Sequence, residues 1–547
     1  TPSNSSAASD VYKRQAKIKR IEILNGASSA LYGTNAIGGV INIITDDAKN
    51  AINVSSDTRY ASKGRFTQSV NIDVNTGKFG SYTSYRRQQA EGWQLNPYEE
   101  NSKTHELEET GKVASTGFYA NTVNQKFTFD ATDKLSFYAR GGYYDNKTRR
   151  PYEAYDYNIL HETFNYGIGA QYMINKGNYI TADCYADHFS SSYCFFKDNK
   201  TYNGKAGEEQ VRKRTRNHNL SIKGIFKLGN RHKLSVGTEY IVDVLKSQTD
   251  NIAKEDAYTL ALFAQDEIKL LRNLQALIGV RYIYHENFKN HATPNVALMY
   301  KPGKFNFRAS YAAGFRTPTL SELYATDIAK KNDRLTIGNL DLKSEKNNYF
   351  SLSAEYVHER FSVSVNAFYN NIRDMIDYNT IATGDKAMEQ YGHKEVRQRD
   401  NIAEAKVHGI NVSANAYLGA GFNLSGGYTH LNTQDVELGQ PIDKSIKNAY
   451  NINAQWAHSW KIYRLNINLN GRINSKRFSK SYGYAPEYQL WNLNTRHSFN
   501  LKSVIIEPGC GMENLFDYMD DRPYNSNYAT LTPGRSFYIS LSLKFKS

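Results

Sequence analysis

Phe537-Tyr538-Ile539-Ser540-Leu541-Ser542-Leu543-Lys544-Phe545 puts an apolar side chain at every odd position. Tyr538 apart, the even positions are small or charged. Working back along the chain, Phe305-Asn306-Phe307-Arg308-Ala309-Ser310-Tyr311, Phe361-Ser362-Val363-Ser364-Val365-Asn366-Ala367 and Tyr463-Arg464-Leu465-Asn466-Ile467-Asn468-Leu469-Asn470 alternate in the same way. A period of two puts one face in an apolar medium and the other in water. No stretch after residue 50 sustains helical periodicity. None approaches the ~18 consecutive apolar residues of a membrane-spanning helix. The alternation therefore predicts an all-β chain.

The connections come in two kinds. Asn75-Thr76-Gly77-Lys78, Ala131-Thr132-Asp133-Lys134, Asn175-Lys176-Gly177-Asn178, Leu228-Gly229-Asn230-Arg231, Lys301-Pro302-Gly303-Lys304 and Leu418-Gly419-Ala420-Gly421 carry the residues of tight turns. They alternate with longer, more polar segments such as 89–116, 198–207, 316–346, 380–394, 432–447 and 517–533. Short turns on one side and long loops on the other are the layout of an outer-membrane barrel. The expected strand starts are 51, 65, 78, 117, 135, 161, 179, 208, 233, 256, 274, 290, 305, 347, 361, 395, 422, 448, 463, 488, 504 and 534, which makes 22. The number is even, so both barrel termini fall on the short-turn side, and barrels of this size are plugged transporters. Strands of about ten residues suit a tilted crossing. A soluble sandwich or propeller also alternates, but no blade-length repeat is present.

Composition narrows the classes. Aromatics are 13% of the chain, too many for a disordered protein. Three cysteines make neither a disulfide framework nor a four-cysteine zinc site. Cys184 and Cys194 fall on one strand, roughly 33 Å apart when extended, so they do not pair. The net charge of +14 favours anionic partners, among them lipopolysaccharide phosphates or an anionic solute. The run Arg212-Lys213-Arg214-Thr215-Arg216 at an outer strand end is expected to face lipid or solvent rather than cargo. Aromatics follow the strand ends, as interface girdles do, rather than forming a basic, base-stacking surface, so nucleic acid is not an expected partner. Residues 1–15 are polar and low in complexity, and are expected to be a disordered or non-native leader.

Residues 20–45, Arg-Ile-Glu-Ile-Leu-Asn-Gly-Ala-Ser-Ser-Ala-Leu-Tyr-Gly-Thr-Asn-Ala-Ile-Gly-Gly-Val-Ile-Asn-Ile-Ile-Thr, resemble the end of the plug domain of TonB-dependent outer-membrane receptors. Arg20, Glu22, Gly26, Tyr32, Gly33, Gly38, Gly39 and Asn42 carry the match. The family has Arg-Gly-Pro where this chain has Asn25-Gly26-Ala27. Ile18, Ile21 and Ile23 mark a strand, and Val40–Ile44 reads as a buried one. Phe315-Arg316-Thr317-Pro318-Thr319-Leu320-Ser321-Glu322-Leu323-Tyr324 and Gly338-Asn339-Leu340-Asp341-Leu342-Lys343-Ser344-Glu345-Lys346 resemble paired boxes of the seventh external loop. Leu320, Leu323 and Leu342 are expected to give that loop its own small core. Glu513-Asn514-Leu515-Phe516-Asp517, Pro533-Gly534-Arg535 and a last strand ending at Phe545 resemble the closing hairpin, with Phe516, Arg535 and Phe545 as closure residues. Asn401-Ile402-Ala403-Glu404-Ala405 with Gly409 is a further cue.

The resemblance implies a leader at 1–15, a plug remnant at 16–47 and a barrel at 48–547. The family plug is much longer than this remnant, and its TonB box would precede residue 16. The expectation is thus a partial chain whose barrel is mostly unplugged. The resemblance also implies a monomer in the outer membrane of a Gram-negative bacterium. It would contact lipid and lipopolysaccharide, use TonB as energy-coupling partner, have no cofactor or resident metal, and import a scarce solute. A ferric siderophore or related iron complex leads; haem and cobalamin are alternatives. Haem receptors of the family place a ligand histidine between the two loop boxes, and between Pro318 and Asn339 there is none. His393 and His291 are the substitutes. Arg316 is expected to turn inward, opposite the outward parity of Phe315, and either grip an anionic cargo or pair with Glu322 to set the loop. Tyr324 and Trp93 are candidates to stack on a flat chelate. A passive porin or adhesin barrel would lack the 20–45 motif. An enzyme barrel would be smaller, and the loops show no convincing Ser/His/Asp grouping.

Overall fold

The computed structural model describes residues 18–25, 39–45, 51–101, 104–329, 333–480, 483–524 and 532–546. Twenty-two antiparallel strands, from Ile52–Ala61 to Ser536–Lys546, form a closed barrel. The first strand closes it by pairing with the second and the last, with Val54 opposite Phe545 and Thr58 opposite Leu541. All but two of the strand starts lie within two residues of the expected positions. The exceptions begin at Tyr157 and Ile252 rather than 161 and 256. There pairing continues past the membrane, as where Tyr157 opposes Phe195. Strand lengths run from 10 residues to the 25 of Glu395–Gly419, so the longest project well beyond a ~10-residue crossing and carry the loops outward.

The pleat sorts the side chains. Phe537, Ile539, Leu541 and Phe545 are exposed on the last strand, whereas Ser536 and Ser542 are buried. Phe79, Phe127, Phe129 and Phe137 form an exposed aromatic band beside the short turns. Ile168, Leu220, Ile222, Leu260, Leu262 and Leu352 fill an exposed aliphatic belt, with Tyr240 and Tyr282 level with it, and Tyr143, Phe164 and Tyr166 lie toward the loop side. This is the lipid face of a membrane barrel. The inner face is hydrogen-bonded polar wall, as where Asn347 donates to Asn370 at 2.8 Å. At the closing seam Glu513 takes Arg59 from the first strand and Arg65, at 2.7 Å, from the second.

Closure also uses a turn. Arg535 donates from its backbone N–H to Asp517 at 2.5 Å and from Nε to the Leu515 carbonyl at 3.1 Å. Phe516 is exposed and meets Trp491 edge-on. Asn514 holds the turn in the left-handed region at φ 53°, where its side chain bonds to Tyr518.

Ile18–Asn25 and Gly39–Thr45 pair as a separate antiparallel hairpin, with Glu22 opposite Asn42, Arg20 opposite Ile44 and Asn25 opposite Gly39. Gly26, Tyr32, Gly33, Gly38 and the 1–15 leader lie outside the described residues. The strand expected to be buried at Val40–Ile44 does not bury Ile41, which is 55% exposed on this two-stranded sheet. Two short helices, Leu320–Tyr324 and Gly384–Tyr391, correct the expectation that no helix follows residue 50. Both are loop segments too short for periodicity to reveal them. The first is set by a capping box, Thr319 with Glu322, and the second ends on Gly392 at φ 71°.

Candidate functional site: the external mouth

The 305–316 strand leaves its neighbour before it ends. Pairing with the Lys289–Tyr300 strand stops at Asn295–Ala312, while pairing with Glu345–Val357 continues to Arg316–Glu345. The freed end carries Phe315 onto the wall. Its ring is 2% exposed, stacks on His291 at 4.7 Å and packs with Ala261 and Ile283. Ile283 lies on the inner face, sharing the parity of the buried Arg281 and opposite to that of the exposed Val280 and Tyr282. Phe315 therefore does not continue the outward row of Phe305 and Phe307: a strand no longer hydrogen-bonded on one side is free to bend over its former neighbours.

Arg316 follows and sits between two carboxylates. Its Nε and Nη2 donate to Glu345 at 2.7 and 2.6 Å, and Nη1 and Nη2 donate to Glu322 at 2.8 and 3.2 Å. The three side chains are 20%, 11% and 13% exposed. The same Glu322 accepts from the Thr319 backbone N–H at 2.8 Å, and Glu345 accepts from the Ile376 N–H at 2.9 Å. Burial pushes the Glu322 carboxyl up, but Arg316 and Thr319 more than offset this and hold it below the ordinary carboxylate range. The Glu322 pairing is the structural role weighed for Arg316. It locks both ends of the loop, at 316 and 345, to its internal helix.

The loop has the small core expected of it. Leu323 and Leu342 are buried with Ile376, and Phe288 and Tyr324 pack against them. Leu320 is only half-buried. Asn401 ties this core to the next loop: it donates to the carbonyls of Lys343 at 3.0 Å and Asp374 at 2.7 Å, and accepts from the Lys343 N–H at 2.7 Å. Beyond it, Thr326–Ala329 and Arg334–Ile337 form a hairpin whose second strand runs parallel to Glu395–Gln398. Leu335 and Ile337 cover Ala382, Ala387 and Val396. His393 Nδ1 bonds Asp333 at 2.9 Å, which holds that carboxyl below its ordinary value. Arg316, Tyr324 and His393 thus belong to one two-loop assembly. His291, stacked under Phe315, also bonds Ser344 at 3.2 Å, so both histidines raised as haem ligands have partners within the loops.

Trp93 stands apart, in the 91–116 loop, where it exchanges backbone hydrogen bonds with Ser115 at 3.0 and 3.1 Å. Its neighbour Gly92 lines a cavity of about 320 Å³ with Arg149, Arg150 and Pro151. Arg150 opens onto a cluster that the sequence reading missed. Tyr157 and Tyr193 stack at 4.1 Å, and Tyr202 meets Tyr193 edge-on at 5.2 Å. Arg212 lies 5.3 and 5.0 Å from the rings of Tyr193 and Tyr202; Arg150 lies 5.1 Å from Tyr157. Tyr157 shares the inner parity of the buried Thr163 and Asn165. Arg212 donates to Gln248 at 2.9 Å, and among the described residues no carboxylate pairs with Arg212 or Arg150. The signal was present in Arg149-Arg150-Pro151-Tyr152-Glu153-Ala154-Tyr155-Asp156-Tyr157, but parity assigns such residues to the mouth only once the strand start is fixed at 157 rather than 161.

Comparison with known proteins agrees with this architecture. The family model described as "TonB dependent receptor-like, beta-barrel" matches residues 65–510. The ferric enterobactin receptor of Pseudomonas aeruginosa is 22% identical over 97% of this chain and 81% of its own length. A crystal structure of a mutant of that receptor superposes with a TM-score of 0.81 at 17% identity, covering 97% of this chain and 85% of that one. The siderophore receptor PirA from Acinetobacter baumannii gives 0.78 at 17%, over 97% and 85%. The FrpB iron transporter from Neisseria meningitidis gives 0.74 at 14%, over 97% and 88%. The chain belongs to the TonB-dependent receptor family, transport receptors rather than enzymes, whose barrels span the outer membrane of Gram-negative bacteria.

Proposed function

We propose that this receptor imports a ferric siderophore of anionic, ring-bearing type, with energy delivered through TonB. The observation that carries the reading is the Tyr157–Tyr193–Tyr202 cluster with Arg150 and Arg212. Two guanidinium groups without carboxylate partners lie against aromatic faces on the inner side of the mouth. Planar guanidinium groups suit the oxygens of an anionic chelate, and tyrosine rings suit its flat ligands. Relatives that are ferric enterobactin and siderophore receptors support the same reading. Arg316 acts in it as the lock of the seventh loop, with Tyr324 and His393 in the same assembly and Trp93 beside the cavity next to Arg150.

The test is binding by the full-length receptor. Arg212→Ala and Tyr193→Ala should each weaken binding of an anionic ferric catecholate about tenfold or more, with a smaller effect on a neutral ferric hydroxamate. Equal loss for both chelates, or none, would remove the cluster from the site.

A further inference from the structure

Arg212 is poorly fixed by its own strand. It is the extra residue of a β-bulge: Val211 lies opposite Ser192 and Lys213 opposite Ser191, so no residue of the Asn178–Phe195 strand opposes Arg212. On the other side, pairing with the His232–Ser247 strand ends at Lys213–Ser247, one residue short of it. A bulge re-aims a side chain. Here Arg212 turns toward Tyr193 and Tyr202, while Arg214 and Arg216 stay exposed in line with the lipid-facing Leu220. This corrects the expectation that the whole 212–216 run faces lipid or solvent. What holds Arg212 is the turn at 248–251. The Gln248 N–H donates to the Arg212 carbonyl at 2.8 Å, and Arg212 Nη1 donates to Gln248 Oε1 at 2.9 Å.

Asp250 ties the same turn to the seventh loop. Lys213 Nζ and Ser321 Oγ donate to one carboxylate oxygen, Asp250 Oδ2, at 3.3 and 3.0 Å. The Asp250 carbonyl accepts from the Thr326 N–H at 2.8 Å. Ser321 lies at the start of the Leu320–Tyr324 helix and Thr326 just past its end, so Asp250 grips that helix at both ends. The helix carries Glu322, the partner of Arg316. The turn is braced from within: the Asp250 N–H donates to the buried Ser247 Oγ at 3.1 Å, and the Ser247 and Thr249 hydroxyls bond at 2.9 Å. We propose, on the reading of the Arg212 cluster as the grip on an anionic chelate, that Asp250 is a positioning residue of the cargo site. Through Lys213 and the 248–251 turn, it makes the locked seventh loop hold Arg212 against the Tyr193 and Tyr202 rings.

The experiment is a double-mutant cycle on the full-length receptor. The probes are an anionic ferric catecholate and a neutral ferric hydroxamate, and heat-modifiable gel migration checks that each variant is folded. Asp250→Ala should weaken catecholate binding about fivefold and leave hydroxamate binding within about twofold. In the Arg212→Ala background it should weaken the catecholate by less than about twofold more, because both residues act through one guanidinium. Ser321→Ala cuts only the tie to the loop and leaves Lys213 paired. It should lose catecholate binding in the same direction, and it decides the question should Asp250→Ala not migrate as folded. By reciprocity, catecholate should slow hydrogen exchange at residues 320–326 in wild type but not in Asp250→Ala. Losses that multiply in the double variant, or equal loss for both chelates, would make Asp250 a brace of the loop alone and overturn the proposal. Loss in Arg212→Ala with none in Asp250→Ala or Ser321→Ala would overturn it and leave the cargo site standing. Normal catecholate binding by Arg212→Ala would overturn both.

Discussion

Arg316 and Glu345 close the two ends of the seventh external loop on each other, with the guanidinium Nε and Nη2 at 2.7 and 2.6 Å from the two carboxylate oxygens. They are also the last cross-strand pair of their two strands. Parallel, charge-assisted bonds of this kind fix geometry as well as energy. Removing Glu345 leaves Arg316 to Glu322 alone and takes the acceptor from the buried Ile376 N–H, at about 1–3 kcal/mol. Glu345→Ala should therefore open residues 317–344 to limited proteolysis while the barrel keeps its heat-modifiable migration.

The same lock makes the contribution of Arg316 to cargo binding indirect. In the full-length receptor, Arg316→Ala should weaken binding of an anionic chelate by a factor that stays the same between low and high salt. A direct charge contact would be screened. A loss that shrinks steeply with salt would put the guanidinium on the cargo.

Glu322 gives the lock a pH limit. Its carboxyl is held below the ordinary value, so its stabilisation is fully present above the unfolded value of about 4.3 and is lost as pH falls through the folded one. Protection factors across residues 317–345, taken against the intrinsic exchange rate at each pH, should be unchanged from pH 7 to about 5 and fall below about 4. Glu322→Gln should abolish that dependence and exchange faster at every pH.

Asn401 joins the seventh loop, at Lys343, to the Phe361–Thr383 strand, at Asp374, through one side chain. Asn401→Ala removes bonds to Lys343 and Asp374, whose backbone groups are exposed or part-buried, costing about 0.5–1.5 kcal/mol. Protection of the Lys343 amide should fall in hydrogen exchange, with no change at the Glu513–Arg65 seam.

The register of the closing strand is checked by charge. Leu541 is exposed on the lipid face near mid-strand, so Leu541→Arg should cost about 2–4 kcal/mol. Ser540 faces the lumen opposite Arg59, which Glu513 already pairs. Ser540→Arg should therefore cost under about 1 kcal/mol. Equal tolerance in a heat-modifiability series would put the strand one residue out of register.

The wall was legible in the sequence because lipid and water act on alternate residues of every strand. Phe537, Ile539 and Leu541 report that medium one residue at a time. Turns such as Asn175–Asn178 were legible because only a few residue types adopt them, as Gly177 does at φ 94°. The mouth was less so. Alternation at Phe315 implied an outward ring, but parity holds only while a strand stays paired, and this one is released after Ala312. Glu345 as the second partner of Arg316 lies 29 residues away in the chain, a contact that loop sequence does not encode locally. The Tyr157–Tyr193–Tyr202 cluster draws on three separate segments, and it forms only because the Tyr157–Asn175 strand begins four residues earlier than its polar flank suggests.

The most direct test of the central claim is uptake of radiolabelled iron from a ferric catecholate by Gram-negative cells whose only receptor for it is the full-length form of this protein. Saturable uptake that stops when the proton gradient is collapsed or TonB is deleted, and that falls about tenfold in Arg212→Ala, is the predicted result. Uptake that survives both energy blocks, or cells that accumulate no iron from any ferric siderophore offered, would contradict it.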